Sequence, residues 1–298
     1  MLNPTFPKST YERVPSPYVL KGNLASASIN GNIAIDTGDE LRLQRIFGDE
    51  LWIKLCRAGL SPTRLANSNI LEVCAGTGFL THHLLMRCRP KSLTVNDISP
   101  SEMKSSQKLL DKANLDVDIN WALGDLHNLN FDMCFDVIIG NSFLHHFHDC
   151  PKVLARFADL LPKGGVFISL HEPSKMSTVV EGAKLLAYPI ACFFPDMVNN
   201  IARSRYKGQP SSTDIWMFDE ATLKKVVKKA GFSKARVIPW NLFRPIVTQM
   251  LDLHLGPSKP RLSPSEQLVL RGAIAFDSFL NRILPSRFFG SVCLICQK

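Results

Sequence analysis

The stretch Ile70-Leu-Glu-Val-Cys-Ala-Gly-Thr-Gly-Phe-Leu-Thr-His-His-Leu-Leu-Met86 decides the fold. Its first five residues, Ile70 to Cys74, are a short apolar run of the kind buried on both faces of a parallel sheet. Gly76 and Gly78 punctuate it, and Phe79 to Met86 continue at helical spacing. Glycine tolerates the backbone angles of a tight strand-to-helix turn, and the first amides of the helix that follows are left for a ligand.

The same unit recurs downstream. Ser92 to Val95 reads as a strand ending at Asn96-Asp97, followed by a helix over Ser101 to Ala113. Val117 to Leu123 is a third strand, ending at Gly124-Asp125, and Phe135 to Ile139 a fourth, with a helix from about Pro151 to Leu161. Lys163-Gly-Gly165 turns the chain into a fifth strand, Val166 to Leu170. Strands alternating with helices give an α/β fold, a doubly wound parallel sheet joined by right-handed crossovers.

The boundaries follow from where this alternation starts and stops. Residues 1–64 are a Pro-, Ser-, Asn- and Gly-rich arm and then a helix over Asp39 to Ala58, capped by Asp39 and broken at Ser61-Pro62. Residues 65–173 are the core, 174–218 a helical insertion, and 219–240 a returning helix and strand, with Asp219 as cap and Gly231 as stop. Residues 241–290 form a second helical insertion and 291–298 a closing strand.

Composition excludes several classes. With 45% apolar and 20% charged residues, the 298-residue chain is neither collagen, coiled coil nor wholly disordered. No apolar leader is visible near the start, and the strongest apolar run, Leu185 to Phe194, is half of a membrane span and contains Pro189. The eight cysteines are scattered as reduced thiols would be, so the expected location is cytoplasmic. Cys293 and Cys296, three apart on a strand, should face opposite sides. The net charge of +9 is concentrated in the rear half. It fits either an anionic partner or a solvated helix face.

Ligands of open parallel sheets bind beyond the C-terminal ends of the strands. Those ends offer Glu72 with Ala75-Gly76-Thr77-Gly78, then Asp97, then Gly124-Asp125, then Asn141-Ser142, then His171-Glu172. An acid after the second strand suits two ribose hydroxyls. A second acid, Asp125, suits an exocyclic amine between the apolar plates Leu126 and Ile98. The turn lacks G-x-G-x-x-G, so it fits NAD poorly, and it has no G-x-x-x-x-G-K-[ST] for a nucleoside triphosphate.

The ordered set Glu72-x-x-x-Gly76-x-Gly78, Asp97, Gly124-Asp125, Phe135 to Ile139, Leu144-His-His146 and Leu160 to Gly165 resembles the class I S-adenosylmethionine-dependent methyltransferases, in their small-molecule branch. The resemblance covers residues 68–173, and more weakly 216–240 and 290–298. It implies a Rossmann-like seven-stranded sheet with the last strand antiparallel and helical insertions forming a lid or substrate region. It also implies S-adenosyl-L-methionine as cofactor and S-adenosyl-L-homocysteine as product. Glu72 and the loop Ala75, Gly76, Thr77 and Gly78 would hold the methionine end, and Asp97 the ribose, with Ile98 and Met103 beside the adenine. Gly124, Asp125 and Leu126 would take the adenine edge, and Asn141 and Ser142 would line the cofactor near its sulfonium. Cys74 stands where the family writes its first glycine, and its side chain is expected to crowd the loop.

In-line methyl transfer needs alignment, plus a base where the acceptor is a hydroxyl. The candidate bases are His145, His146, His171 and Glu172, with His148 expected to be exposed. A metal is not expected, because His145, His146, His148 and Asp149 cannot converge on one ion from a regular element. Nucleic acid is a poor partner, since strand four is followed by neither Asn/Asp-Pro-Pro-Tyr/Phe nor Pro-Cys. The insertions carry Tyr188, Phe193, Phe194, Trp216, Phe218, Phe243, Phe276 and Phe279 with several cations. They suit a bulky acceptor bearing an anionic group, or a lid that excludes water. The expected activity is O-methylation of a small molecule. N- or C-methylation of a lipid or quinone at a membrane surface, and a non-catalytic cofactor-binding module, are the alternatives.

Overall fold

The computed structural model describes residues 40–113, 118–147, 149–175, 217–244, 247 and 263–298, with residues 40–47 and Lys112 described by backbone alone. Most of the first insertion, the N-terminal arm and His148 lie outside these residues, as does most of the second insertion before residue 263.

The elements run α1 (Glu40–Arg57), α2 (Pro62–Ala66), β1 (Asn69–Val73), α3 (Phe79–Arg87), β2 (Ser92–Asp97), α4 (Pro100–Lys112), β3 (Ile119–Leu123) and β4 (Val137–Asn141). After a short 3-10 turn at Leu144–His146 come α5 (Cys150–Leu160), β5 (Val166–Pro173), α6 (Glu220–Lys229), β6 (Lys234–Trp240), α7 (Pro264–Leu280) and β7 (Ser291–Gln297). The seven strands form one sheet in the order β3-β2-β1-β4-β5-β7-β6. The neighbours from β3 to β5 pair in parallel, and β7 is antiparallel to both β5 and β6. This is the doubly wound, seven-stranded arrangement that the sequence implied.

Period-two alternation divides the core between the two faces. Leu71, Val73, Ile138, Phe167 and Leu294 point to a layer closed by α5 and α6. Ile70, Val137, Ile139, Ile168 and Ile295 point to the layer closed by α1, α3 and α7. Cys296 falls in the first layer and Cys293 in the second, so the two thiols face apart as expected, and both are free. Helix starts are capped by side chains: Ser99 for α4, Asp149 for α5, Asp219 for α6, and Ser263 with Glu266 as a capping box for α7.

Two readings differ in detail. Ser61-Pro62 ends the first helix and also starts α2, with Ser61 accepting the Arg64 amide. β5 extends three residues past its expected end, to Pro173, because β7 pairs with Glu172 and Pro173 as well. Leu170 and His171 are both skipped in the β5–β7 register, which shifts between Ser169 and Glu172.

Candidate active site

All four non-glycine residues with left-handed backbone among the described residues sit at the C-terminal ends of strands: Cys74 (φ 51), Ser142 (φ 54), His171 (φ 56) and Asn241 (φ 66). Such angles cost about 1–3 kcal/mol each and collect at functional sites. Their shared edge is the one at which open parallel sheets bind ligands.

On one side of that edge lies the glycine loop. Cys74 takes the left-handed angle that a glycine would take freely, and its side chain packs against the α5-side core. Burial pushes its thiol well above the ordinary range. A Cβ on Gly76 would meet nothing within 4 Å, so open space fronts the loop there. A Cβ on Gly78 would lie 2.2 Å from Ser106 Oγ, so glycine is needed for α4 to approach.

Asp97 ties the tips of β1 and β2 together. Its Oδ2 accepts the Gly76 amide at 2.8 Å and its Oδ1 the Ser99 amide at 2.8 Å. Each oxygen keeps a further lone pair for a hydroxyl donor. Burial raises this carboxyl while the amides of Ser99, Gly76 and Ile98 oppose the rise. Asn96 spans to β3 through the carbonyls of Ala122 (2.8 Å) and Gly124 (3.0 Å), and the Gly124 amide donates to the Asp97 carbonyl at 2.9 Å. Met103 and Leu126 are buried beside these tips and Ile98 is half-buried. Asp125 Oδ1 accepts the His127 amide at 2.9 Å and pairs with its ring Nδ1 at 3.0 Å, a partner that sequence reading missed.

Glu72 is fully buried in β1. Its Oε2 accepts from the Thr81 hydroxyl at 2.8 Å, and its Oε1 is buried with no partner. Burial pushes this carboxyl up to about 8. The folded chain therefore holds a proton at neutral pH that the unfolded chain releases near pH 4.3, and stability falls as pH rises from there through about 8. Glu72→Gln removes that loss. Between pH 5 and pH 8, the unfolding free energy of the cofactor-free variant should gain on wild type by on the order of a few kcal/mol. Urea unfolding at the two pH values checks this, and parallel wild-type and variant curves would refute it.

On the other side of the edge, a buried carboxylate builds the turn after β4. Glu172 Oε1 accepts the amides of Phe143 (3.1 Å) and Leu144 (2.9 Å) and the Ser169 hydroxyl. Its Oε2 accepts the His145 amide at 3.2 Å and meets His145 Nδ1 at 2.7 Å. Burial would raise Glu172, but His145, Ser169 and the turn amides hold it below the ordinary range. With both oxygens so occupied and no exposure, Glu172 positions the turn and does not face an acceptor. His145 is buried with it, and the half-buried His146 ring lies 4.0 Å away, tilted onto His145.

His171 belongs to a second buried group that the sequence did not disclose. Its Nδ1 meets Asn141 Oδ1 at 2.8 Å, while its Nε2 contacts Lys54 Nζ and lies 3.2 Å from Glu50 Oε1. Glu50 also accepts from Lys54 at 2.8 Å and from the Trp240 indole, and pairs with Arg244 Nε at 2.9 Å. Arg244 is held there because the buried Asp277 of α7 accepts the amides of Leu242, Phe243 and Arg244. Burial, and then the Lys54 charge, push His171 down to about 4, so the ring is neutral at pH 7. A neutral ring donates from Nδ1 to Asn141 and accepts from Lys54 at Nε2. Burial also pushes Lys54 down to about 8, with Glu50 opposing. Glu50, despite its burial, is held below the ordinary carboxylate range by Lys54, His171 and Arg244.

The structure thus gathers the predicted residues into two neighbouring groups along one edge. Gly76, Gly78, Asp97, Gly124 and Asp125 line one, and Asn141, Ser142, His145, His146 and His171 the other. Among the described residues no cluster of three His, Cys, Asp or Glu is arranged to hold a metal. No described helix is long and apolar enough to cross a membrane.

Comparison with known proteins agrees with this geometry. Residues 70–165 match the family model of a methyltransferase domain. The chain is similar to a ubiquinone/menaquinone biosynthesis C-methyltransferase of Dinoroseobacter shibae, 25% identical over 195 residues, 64% of this chain and 74% of that protein. It is also similar to a malonyl-[acyl-carrier protein] O-methyltransferase of Chlorobium luteolum, 28% identical over 43% of this chain and 48% of that one. Among solved structures, phosphoethanolamine N-methyltransferase 2 of Haemonchus contortus, in complex with S-adenosyl-L-methionine, superposes with a TM-score of 0.53. That match has 15% identity and covers 84% of this chain and 52% of that one, and it shows the shared fold.

Proposed function

We propose that this chain, a class I S-adenosylmethionine-dependent methyltransferase, methylates a hydroxyl oxygen of a bulky small molecule, with His146 as the base. When bound, the cofactor supplies a methyl group already activated by its positive sulfur. The chain's own work is to hold it, align the acceptor and remove a proton.

The cofactor fits the residues present. Open space fronts Gly76, the loop amides lie at the start of α3, and Asp97 keeps lone pairs at the tip of β2. The buried, unpartnered Oε1 of Glu72 stands beneath the same loop. In this reading Glu72 and Ala75 to Gly78 hold the methionine end and Asp97 holds the ribose. Ile98, Met103, Gly124, Asp125 and Leu126 hold the adenine, and Asn141 and Ser142 lie near the sulfur.

The observation that carries the choice of base is where His146 stands, half-buried at the strand-tip edge at the end of the turn that Glu172 fixes. Glu172 is saturated by the turn, His145 is buried against it, and His171 is bracketed by Asn141 and Lys54. His146 is the half-buried member at the end of that fixed turn. An imidazole there suits proton removal near neutral pH.

A carbon acceptor is the second reading, favoured by the match over 195 residues to a protein named as a C-methyltransferase. Incubation of the full chain with methyl-13C cofactor and a panel of phenols, quinols and hydroxylated acids separates the two. A methoxy carbon resonance is the expected product signal. A C-methyl resonance would replace the oxygen reading with the carbon one, and no transfer to any acceptor would overturn both.

A further inference from the structure

A polar cleft opens beside the outer strand β6. It has a volume of about 330 Å³ and sits between the outer strand β6 and the C-terminal end of α7. Three guanidinium groups line it: Arg57 from α1, Arg236 from β6, and Arg282 just past α7. No carboxylate lines it. Among the described residues, none of the three arginines has an ion-pair partner.

Local geometry explains one of these cations and leaves two. Arg57 donates to the Ser278 carbonyl at 2.8 Å, to the Ser278 hydroxyl at 2.6 Å and to Asn281 Oδ1 at 2.9 Å. It thereby closes the last turn of α7 and lies against the Trp240 ring at 5.5 Å. Arg236 lies two residues before Ile238 on the same face of β6, the face that packs against α1. It has no such task, and neither does Arg282. Asn281 contributes a second anomaly. Its oxygen is taken by Arg57, and its Nδ2 is buried in the wall of the cleft with no acceptor. A buried donor left unmade is costly, as are three like charges gathered on one concave surface. An anion seated in the cleft answers the second of these costs. Burial and the two neighbouring cations already push Arg57 below its ordinary value, as expected where positive potential is concentrated.

We propose that this cleft is a binding site for a phosphate group carrying two or more negative charges, gripped by Arg236 and Arg282, with Arg57 at its floor. Guanidinium forks match the oxygens of phosphate in a way that a single ammonium does not. The volume admits inorganic phosphate or pyrophosphate. Trp240 lies between this cleft and the Glu50–Lys54 group, since its ring carries Arg57 at 5.5 Å and Lys54 at 4.5 Å. The site is therefore distinct from the strand-tip pocket and does not depend on the assignment of a base.

Calorimetric titration of the full chain with inorganic phosphate and with pyrophosphate, at low ionic strength and with saturating S-adenosyl-L-homocysteine, tests the proposal. The product keeps the strand-tip pocket from serving as an alternative anion site. Saturable binding near one per chain is expected for at least one of the two probes. It should weaken at least about tenfold in Arg236→Gln/Arg282→Gln, because two charge-assisted contacts are lost. Both side chains are exposed, and a thermal melt of the variant confirms that it folds. Absence of saturable binding to either probe overturns the proposal, and so does equal affinity in the double variant.

Discussion

Glu50→Ala should destabilise the fold by about 3–5 kcal/mol, the usual cost of stranding buried charge. Glu50 is 1% exposed and Lys54 0%. The Glu50 carboxylate faces Lys54, Arg244, His171 and the Trp240 indole. Removing it leaves two cations and an indole N–H without their common acceptor. Lys54, already pushed down to about 8 by burial, would lose the Glu50 charge that opposes the fall and would shed its proton near neutral pH. The pair itself is not the source of the loss, because desolvation offsets most of its attraction. Glu50→Leu with Lys54→Met should thus recover more than half of the lost stability in urea unfolding. Additive losses in the double variant would sink this account. His171 adds a pH signature. Its folded value of about 4 lies below the unfolded value near 6.5, so the unfolded chain binds the extra proton between them. Its contribution is complete above pH 6.5 and is lost as pH falls through 4, which His171→Asn would remove.

The sheet was legible because its evidence is local. Apolar runs such as Ile70 to Val73 and Val137 to Ile139, cut by Gly76, Gly78 and Gly165, carry their strand identity in a few adjacent residues. The acids at the strand tips were legible for the same reason, since Asp97 ends β2 and Asp125 follows β3 by two residues. The Glu50–Lys54–Arg244 group was not. Glu50 and Lys54 stand four apart on a helix, which in sequence looks the same as an exposed surface pair, and only the placement of α1 against β6 and β7 buries them. Arg244 joins them from 190 residues downstream, through a loop fixed by Asp277. The role of Glu172 was misplaced for a related reason. Glu172 was among the candidate bases, but the register shift after Ser169 turns it inward under the turn of His145. Asp277 repeats the device beneath the turn after β6, accepting three consecutive amides as Glu172 does after β4.

His146→Ala should lower kcat by about 100- to 10,000-fold, the range for loss of a positioned general base, with S-adenosyl-L-homocysteine affinity unchanged. Asp97→Ala should do the converse, weakening that affinity by about 100-fold as ribose contacts to the carboxylate are lost. The two residues occupy different tips of the same edge, β2 against the turn after β4, and neither accepts from the other. Asp97 also latches the Gly76 and Ser99 amides, so Asp97→Asn serves as the control that keeps one acceptor oxygen at the latch. Its affinity should fall between those of wild type and Asp97→Ala. The activity lost in His146→Ala should return partly as pH rises, because hydroxide and solvent replace a missing base where they cannot replace a missing fold. His145→Ala provides the contrast. Losing the 2.7 Å contact to Glu172 loosens the turn itself, so thermal stability and kcat should fall together without rescue at high pH. Full turnover in His146→Ala would remove it as the base, and unchanged product affinity in Asp97→Ala would move the ribose away from β2.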